Sequence, residues 1–406
     1  MFKTTLLALI PLLLVFSCTE VSKNQGADAW SFADTMFLDS GQEDTMSRDS
    51  GQKELPNFAG PQGVAATEDF VFVANPNWSF DENQKIVYGQ GFVTVVDRSN
   101  FAVVNKILTN AKNPQIVKVH KDRVYVLCSG ATYWDNENYM VVPDSPSSIE
   151  SFSISSATTA TATTVHATLP LSQSAPLVGY ASSLVILDND IAYASSGTTA
   201  VVFKFDLKSN MVLRGTENPI VLGDTKQQDG LVLEKGPSNI LFIGSFNRDI
   251  VIAFDLSTDT IADSPFSQID VSKTPNIDGV QDLAYYPSGQ KDLFVLLGLA
   301  STVQALNTTM GQPSVETFVT TGQAPNKMKI VNNTLLVINS LDNNITGYSI
   351  GTKKQVALVA FPTQTNPFDM AILQTQGKTY LYVTGNMAQT LYEVELESQT
   401  ITRQAQ

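Results

Sequence analysis

Short stretches of alternating apolar and polar residues, separated by turn-forming residues, recur from about residue 58 to the end of the chain. Each copy contains an apolar segment with an aromatic or large apolar residue, followed by small or polar residues. The seven copies are residues 70–75, 124–129, 191–196, 240–245, 293–298, 335–340 and 380–385. Alternation with turn signals every eight to twelve residues or so is typical of antiparallel strands. No helical stripe longer than about two turns interrupts the pattern.

Two further sequence features accompany the copies of the repeat. A second alternating strand follows, ending at residues 97, 154, 206, 255, 307, 349 and 395, where Asp, Asn and Ser favour a turn because their side chains bond the turn backbone. A Pro-containing segment precedes the copies at Pro61, Pro114, Pro325 and Pro367, with degraded versions near Ser182, Asp229 and Gln281. Four strands in each of seven repeats predict an all-β fold, a seven-bladed β-propeller of four-stranded antiparallel blades over residues 58–406, with about 50 residues per blade.

The repeat resembles the YVTN-type, lactonase-like family of seven-bladed propellers. The match is best at Phe72-Val-Ala-Asn with Thr94-Val-Val-Asp, and at Tyr125-Val-Leu-Cys after Asn113-Pro-Gln-Ile-Val. The repeat lacks the WD dipeptide and the GH pair of WD40 blades. The resemblance implies the propeller fold. It leaves function open, because that family and its relatives include both binding modules and enzymes.

Composition and charge narrow the function classes. Of the 406 residues, 43% are hydrophobic, so the chain has enough apolar side chains for a large core and global disorder is excluded. The formal net charge is −14, from 39 acidic and 25 basic residues. A protein with this balance lacks the basic patch that neutralises phosphates, so no nucleic acid is expected as a partner.

The first 17 residues have the layout of a signal peptide: one lysine, an apolar run and a small residue before a cysteine. Val15-Phe-Ser-Cys18 resembles a bacterial lipobox, which implies cleavage before Cys18 and lipidation of that cysteine. Acyl chains at Cys18 would anchor the protein to a membrane. The resemblance therefore implies an extracytoplasmic lipoprotein, with Thr19 in place of Asp favouring the bacterial outer membrane, on its periplasmic side or at the cell surface. The alternative is an ordinary secreted protein that is cut elsewhere.

Residues 18–57 form an acidic segment that contains a tandem duplication. Asp34-Thr-Met-Phe-Leu-Asp-Ser-Gly-Gln recurs ten residues later, from Asp44, as Asp-Thr-Met-Ser-Arg-Asp-Ser-Gly-Gln. Its spacing does not match a calcium-binding loop, so a flexible tether is predicted instead. With Cys18 lipidated, Cys128 has no partner and is interpreted as a buried free thiol.

Two long loops indicate a candidate recognition face. The loops between the second and third strands of blades 1 and 2 run from about Asn75 to Tyr88 and from Ser129 to Ser148. Because these blades are neighbours, both loops are expected to meet over one sector of the face where the inner strands begin, here called the top face. Aromatic side chains in exposed loops on a rigid scaffold suit recognition of a sugar, a cationic group or a peptide. The alternative is that the rings pack on each other to hold the loops. The candidate residues are Trp78, Phe80, Tyr88, Tyr133, Trp134 and Tyr139.

The mouth of the central channel is the second candidate site. Polar residues just before or within the inner strands are expected to converge there, and such a ring would suit a cation or a small polar ligand. The alternative is a mouth that is polar in any propeller. The candidate residues are Gln62, Gln115, Asp229, Asp282, Lys327 and Asp369.

Signals for catalysis are weak. His120 and His166 are the only histidines and are interpreted as surface residues, and no histidine cluster or GxSxG element is present. No metal site, cofactor or catalytic residue is therefore predicted. We expect non-catalytic binding of a protein partner or an envelope glycan, acting as a binding or scaffold protein. The alternatives are a lactonase-like hydrolase using channel-mouth carboxylates such as Asp282 or Asp369, and a structural subunit of an envelope complex.

Overall fold

The computed structural model describes residues 54–82, 85–263, 267–287, 291–308 and 313–406. The predicted signal peptide, Cys18 and nearly all of the predicted tether, including its duplicated motif, lie outside the described residues. Within the described ranges, no helix has the length and apolar character needed to cross a membrane.

The described chain forms a seven-bladed β-propeller, as the repeats predict. In each blade four strands pair in sequence order and antiparallel, from the channel outwards. The strands are Val64–Ala66, Phe70–Asn75, Phe92–Asp97 and Ala102–Leu108 in blade 1; Pro114–His120, Arg123–Cys128, Ser147–Ser153 and Thr164–Leu169 in blade 2; Ala181–Ile186, Ile191–Ser196, Val201–Asp206 and Met211–Arg214 with Ile220–Val221 in blade 3; and Leu231–Lys235, Ile240–Ser245, Ile250–Asp255 and Thr260–Ile261 with Gln268–Asp270 in blade 4. They are Val280–Tyr285, Leu293–Leu297, Thr302–Asn307 and Ser314–Thr320 in blade 5; Pro325–Val331, Thr334–Asn339, Asn344–Ser349 and Gln355–Ala360 in blade 6; and Pro367–Thr375, Lys378–Gly385, Thr390–Glu395 and Thr400–Ala405 in blade 7.

Three departures from the simple repeat stand out. The two long loops each fold into a two-stranded hairpin, Trp78–Phe80 with Ile86–Tyr88 in blade 1 and Thr132–Asp135 with Met140–Pro143 in blade 2. The outer strand of blades 3 and 4 is divided into two segments that pair separately with the third strand. A short 3-10 turn, Ile154–Ser156, precedes the outer strand of blade 2.

Aspartates end the third strand of several blades for the reason that the sequence suggests. The carboxylates of Asp97, Asp206 and Asp255 each accept a hydrogen bond from the backbone N–H two residues further on, at 2.7, 2.9 and 2.8 Å. Hydrogen bonds from the side chains of Ser99, Ser209 and Ser257 lower the pKa of these three carboxyl groups. The same turn chemistry therefore ends the third strand in blades 1, 3 and 4.

The hydrophobic core is divided among the interfaces between blades. One apolar cluster lies between each pair of neighbouring blades, including the pair formed by blades 7 and 1. Cys128 is fully buried in the cluster between blades 1 and 2, together with Phe72 and Val95, and is a free thiol as predicted. Burial raises the pKa of this thiol, as expected for a small apolar residue in a core.

Blade 7 closes the ring by packing on blade 1, and no strand among the described residues is exchanged between these two blades. Residues 54–57 add no edge strand. Hydrogen bonds join the blades instead: Val64 N donates to Asp369 Oδ2 at 3.2 Å, and Thr384 Oγ1 donates to the Gln62 carbonyl at 2.7 Å. Asn57 Nδ2 also donates to the carbonyl of the last residue, Gln406. These side-chain and main-chain hydrogen bonds therefore close the ring without a shared strand.

Candidate functional site: the hairpin-bearing top face

The hairpin of blade 1 turns its aromatic side chains towards the protein. Trp78 pairs with Tyr88 across the hairpin, and the rings of Trp78 and Phe80 meet edge to face with centroids 5.7 Å apart. Trp78 also covers Gly60, where a Cβ atom would lie 2.7 Å from the indole Nε1. These contacts hold the hairpin against the rim of blade 1 and leave its aromatics half-buried.

The hairpin of blade 2 turns tyrosines outwards. Tyr133 is 50% exposed and Tyr139 is 69% exposed. The carboxylate of Asp135 holds the tip between them, accepting hydrogen bonds from the backbone N–H of Glu137 at 2.8 Å and from the Asn138 amide at 2.8 Å. The bonds from Asn138 are the main reason that the pKa of Asp135 is lowered. A fixed tip therefore presents two large rings to solvent.

The two hairpins meet over the top face, as the loop positions predict. The Tyr88 hydroxyl lies 3.4 Å from Thr132 Oγ1 at the base of the second hairpin. Burial of the Tyr88 ring raises its pKa, and the nearby Tyr180 adds to the effect. The second hairpin also reaches the loop that opens blade 4, because the Gln228 amide bonds both the N–H and the carbonyl of Val141, at 3.2 and 2.9 Å. The pair is thus fastened to the propeller at several points.

Exposed apolar side chains in loops gather on this same face. In the parts of the chain that the structure describes, loops at the opposite, bottom face expose no large apolar side chain. The remaining exposed apolar residues lie on strands, mostly the outer strands. The top-face residues that are at least two-fifths exposed are Val87, Tyr133, Tyr139, Ile277, Leu299 and Met387. An apolar set on one face of a closed ring is a feature of binding surfaces.

The channel carboxylates hold neighbouring blades together. Asp282 Oδ2 of blade 5 accepts a hydrogen bond from Met328 N of blade 6 at 2.7 Å, and Asp369 of blade 7 does the same for Val64 N of blade 1. Glu234 Oε1 accepts from Tyr285 N at 3.1 Å, between blades 4 and 5. Each carboxylate therefore binds the inner strand of the next blade, a repeated device that does not require a ligand.

The other predicted channel-mouth residues are placed differently. Lys327 Nζ lies 3.7 Å from Asp282 Oδ1, so these two do come together. Asp229 is buried beside Arg248, whose Nε donates to it at 2.7 Å, and Ser245 donates to both of its oxygens. Gln115 Nε2 donates to the Tyr180 hydroxyl at 2.7 Å. Gln62 is buried, with its carbonyl held by blade 7.

Charged residues deeper in the channel were missed from the sequence. Repulsion from Lys329 of blade 6 is the main reason that the pKa of Lys118 of blade 2 falls to about 8. Burial acts to lower the pKa of Lys329 itself, but Asp369, Asp282 and Glu234 outweigh it and the pKa is raised. A signal exists for both lysines, because each lies four residues after the proline that begins its inner strand.

The bottom face holds the second feature that the sequence did not reveal. His120 and His166, interpreted above as separate surface residues, lie in one cleft between blades 2 and 3. His120 ends the inner strand of blade 2, and His166 lies on the outer strand of the same blade. Their separation along the chain hides this neighbourhood.

Comparison with known proteins supports the fold. No protein-family model matches the chain, and no curated protein matches its sequence. Among solved structures, streptogramin B lyase matches with a TM-score of 0.57 and 12% identity, over 82% of this chain and 92% of that one. Virginiamycin B lyase from Staphylococcus aureus matches with a TM-score of 0.56 and 10% identity, over 81% and 92%. The computationally designed Ika8 protein matches at 0.53 and 11%, over 86% and 87%. At these identities the likeness concerns the fold alone.

Proposed function

We propose that this chain is a lipid-anchored, extracytoplasmic β-propeller that binds a protein partner or an envelope glycan through its top face without catalysing a reaction. The observation that carries the proposal is the outward display of Tyr133 and Tyr139 on a hairpin fixed at its base and tip. A hairpin whose backbone is already held in place loses little entropy on binding, which suits a recognition surface.

The acidic and polar surroundings of these rings fit the same role. Glu82, Glu137 and the amides of Asn136 and Asn138 are exposed around the apolar set. A central aromatic anchor with a polar rim is the usual anatomy of an interface. The lactonase-like alternative is weaker, because Asp282 and Asp369 are engaged in bonds between blades. The two lyases among the structural neighbours support no activity for this chain, because their sequence identities to it are only 12% and 10%.

The binding face is tested by removing the two exposed rings. The variant Tyr133→Ala/Tyr139→Ala is expected to weaken capture of the partner about tenfold or more, since buried aromatic anchors contribute most of the energy of an interface. Its melting temperature should stay near that of the parent, because both rings are exposed. The measurement is crosslinking and co-purification from cells that express the full chain, with a thermal-shift panel of envelope glycans and peptides.

The matched control is Met211→Ala/Val356→Ala, which removes exposed apolar side chains from outer strands. It should bind as the parent does. Equal capture of the partner by the parent and by the tyrosine variant would show that the hairpin tyrosines are not the binding site. Subunits that co-purify with both variants would favour the structural-subunit alternative.

The lipid anchor gives a separate prediction, which rests on the lipobox resemblance. The variant Cys18→Ala should move the protein from the membrane to the soluble extracytoplasmic fraction, because no acyl chain can be attached there. Cell fractionation with incorporation of labelled fatty acid is the measurement. Cys128→Ala is the control and should remain in the membrane. Fatty acid that persists in Cys18→Ala would contradict the anchor at this residue.

A further inference from the structure

A cleft of about 320 Å³ opens on the bottom face between blades 2 and 3. It lies at the opposite end of the propeller from the hairpins and plays no part in the function proposed above. Its lining includes three basic side chains, Lys121, Arg123 and Lys208, and both histidines of the chain. Such a basic concentration is unusual in a protein whose net charge is −14. The size is at the lower end of small-molecule sites.

Hydrogen bonds across the blade interface fix the two imidazoles. His120 Nε2 lies 2.9 Å from Asp190 Oδ1, and Lys121 Nζ lies 2.7 Å from the same carboxylate. His166 Nδ1 bonds Asn210 Oδ1, and its Nε2 lies 2.6 Å from Ser151 Oγ. Because an amide oxygen only accepts, Nδ1 of His166 is assigned the proton, and Nε2 then accepts from the serine.

The order serine, histidine and asparagine has the form of a nucleophile, a base and an orienting group. Ser151 does not meet the requirement for a nucleophile, because it is fully buried. Its oxygen also accepts hydrogen bonds from Arg123 Nε at 2.9 Å and Nη2 at 2.7 Å. Ser151 therefore acts as a positioning residue that holds both the imidazole and the guanidinium in place.

The contacts within and between the blades leave one guanidinium nitrogen and one ammonium group of the lining without a hydrogen bond or an ion pair. Among the described residues, neither Arg123 Nη1 nor Lys208 Nζ has a hydrogen-bond or ion-pair partner. Asp190 is already shared by Lys121 and His120, which lower its pKa in that order. Asp122, at the rim, is the other carboxylate of the lining. The lining therefore carries three cationic side chains and two carboxylates, and Asp206 lies near Lys208, which contributes to lowering the pKa of that carboxyl group.

The floor of the cleft is aromatic. The Tyr125 ring lies between the two imidazoles, with centroids 6.2 Å from His120 and 5.5 Å from His166. The flat imidazole rings that border the buried Tyr125, with a fixed guanidinium beside them, favour a ligand that joins an apolar or planar body to an anionic group. We propose that this cleft binds a small ring-bearing oxyanion, with its phosphate or carboxylate held by Arg123 and Lys208 and its ring against the imidazoles of His120 and His166.

The chain offers an unusually direct test, because both of its histidines lie in the cleft. The full chain is labelled at its histidine rings and titrated with phenyl phosphate, benzoate or phenol up to about 10 mM, a range that covers millimolar binding. We expect both ring signals to shift in a saturable way with an anion and not with phenol. The tighter of the two anions identifies the group as a phosphate or a carboxylate.

Lys208→Gln should weaken the bound anion about tenfold or more, because it removes one charge-assisted hydrogen bond. Lys208 is exposed, so the fold should be unaffected. Lys226→Gln, an exposed lysine at the top face, is the control and should bind as the parent does. Histidine signals that do not respond to either anion, a response to phenol equal to that of the anions, or equal affinity in Lys208→Gln and the parent would each overturn the proposal.

Discussion

Replacing Arg403 with methionine is expected to destabilise the propeller by about 3 kcal/mol or more, because it leaves a buried carboxylate without its counter-ion. Glu393 on the third strand of blade 7 has a side chain that is only 3% exposed. Arg403 on the outer strand binds it through Nε at 2.7 Å and through a second bond from Nη2. Denaturant unfolding, followed by tryptophan fluorescence, is the measurement.

The pair belongs to the network that closes the ring. Tyr382 donates to Glu393 Oε2 at 3.1 Å and accepts a bond from Arg98 Nε of blade 1 at 2.6 Å. Burial is the main reason that the pKa of Tyr382 rises to about 12, so it stays a neutral donor. Arg403 Nη1 donates to the Arg98 carbonyl at 2.7 Å. Loss of Arg403 therefore loosens the joint between blades 7 and 1 as well as the ion pair.

The double variant Arg403→Met/Glu393→Gln is the control. It removes the unpaired charge and should recover part of the lost stability. Burial acts to raise the pKa of Glu393, but bonds from Arg403 and Thr402 outweigh it, and the folded-state pKa is below its ordinary value. A depressed pKa contributes stability at neutral pH that is lost as the pH falls through the folded-state pKa. The gap between Arg403→Met and the parent should therefore narrow in acid. A gap that is unchanged or wider in acid would contradict this account.

The fold could be predicted from the sequence because its signals are local and repeated. The alternating residues at 70–75, 191–196 and 240–245 coincide with the second strands of blades 1, 3 and 4. Strand alternation and turn residues need no knowledge of distant contacts. The two hairpins could also be located, because their loops are long and belong to neighbouring blades.

The direction of individual side chains could not be predicted in this way. Trp78 and Tyr139 are both large aromatics in long loops, yet Trp78 covers Gly60 while Tyr139 faces solvent. Trp78 packs where Gly60 lacks a side chain, and that contact joins residues 18 positions apart, which the local pattern does not reveal. The channel carboxylates show the same limit. Asp282 resembles a site residue in the sequence, and only the inner strand of blade 6 reveals that its bond is to a backbone N–H.

The two faces of the propeller differ in the chemistry of their exposed side chains. Apolar and acidic groups surround the top-face tyrosines, whereas the cleft at the bottom gathers basic groups and two imidazoles. The rigid ring keeps the two surfaces apart, so a change at one should not disturb the other. The tyrosine variants and Lys208→Gln therefore serve as controls for each other.

The second large loss of stability is expected from a substitution at the base of the blade 2 hairpin. Gly130 has φ +81°, and a Cβ atom there would lie 2.3 Å from the Ser145 carbonyl oxygen and 2.8 Å from that of Pro146. The next residue is clasped by the same segment, since Ala131 N donates to Ser145 Oγ at 2.7 Å. Gly130→Ala is therefore expected to cost about 3 kcal/mol or more, from backbone strain together with a collision that only movement of the hairpin relieves.

Substitutions at two other glycines distinguish backbone strain from the collision. Gly377 has φ +75° and open space around it, so Gly377→Ala should cost about 1 kcal/mol from conformation alone. Gly351 has open space and no left-handed φ, so Gly351→Ala should be nearly neutral. Denaturant unfolding measures the loss of stability in each of the three variants. Partner capture tests whether the hairpin keeps its position. Because the collision lies directly under Tyr133 and Tyr139, Gly130→Ala should lose capture while the other two retain it. Equal costs for Gly130→Ala and Gly377→Ala would mean that the hairpin yields freely, and then its tyrosines would not be held in place for binding.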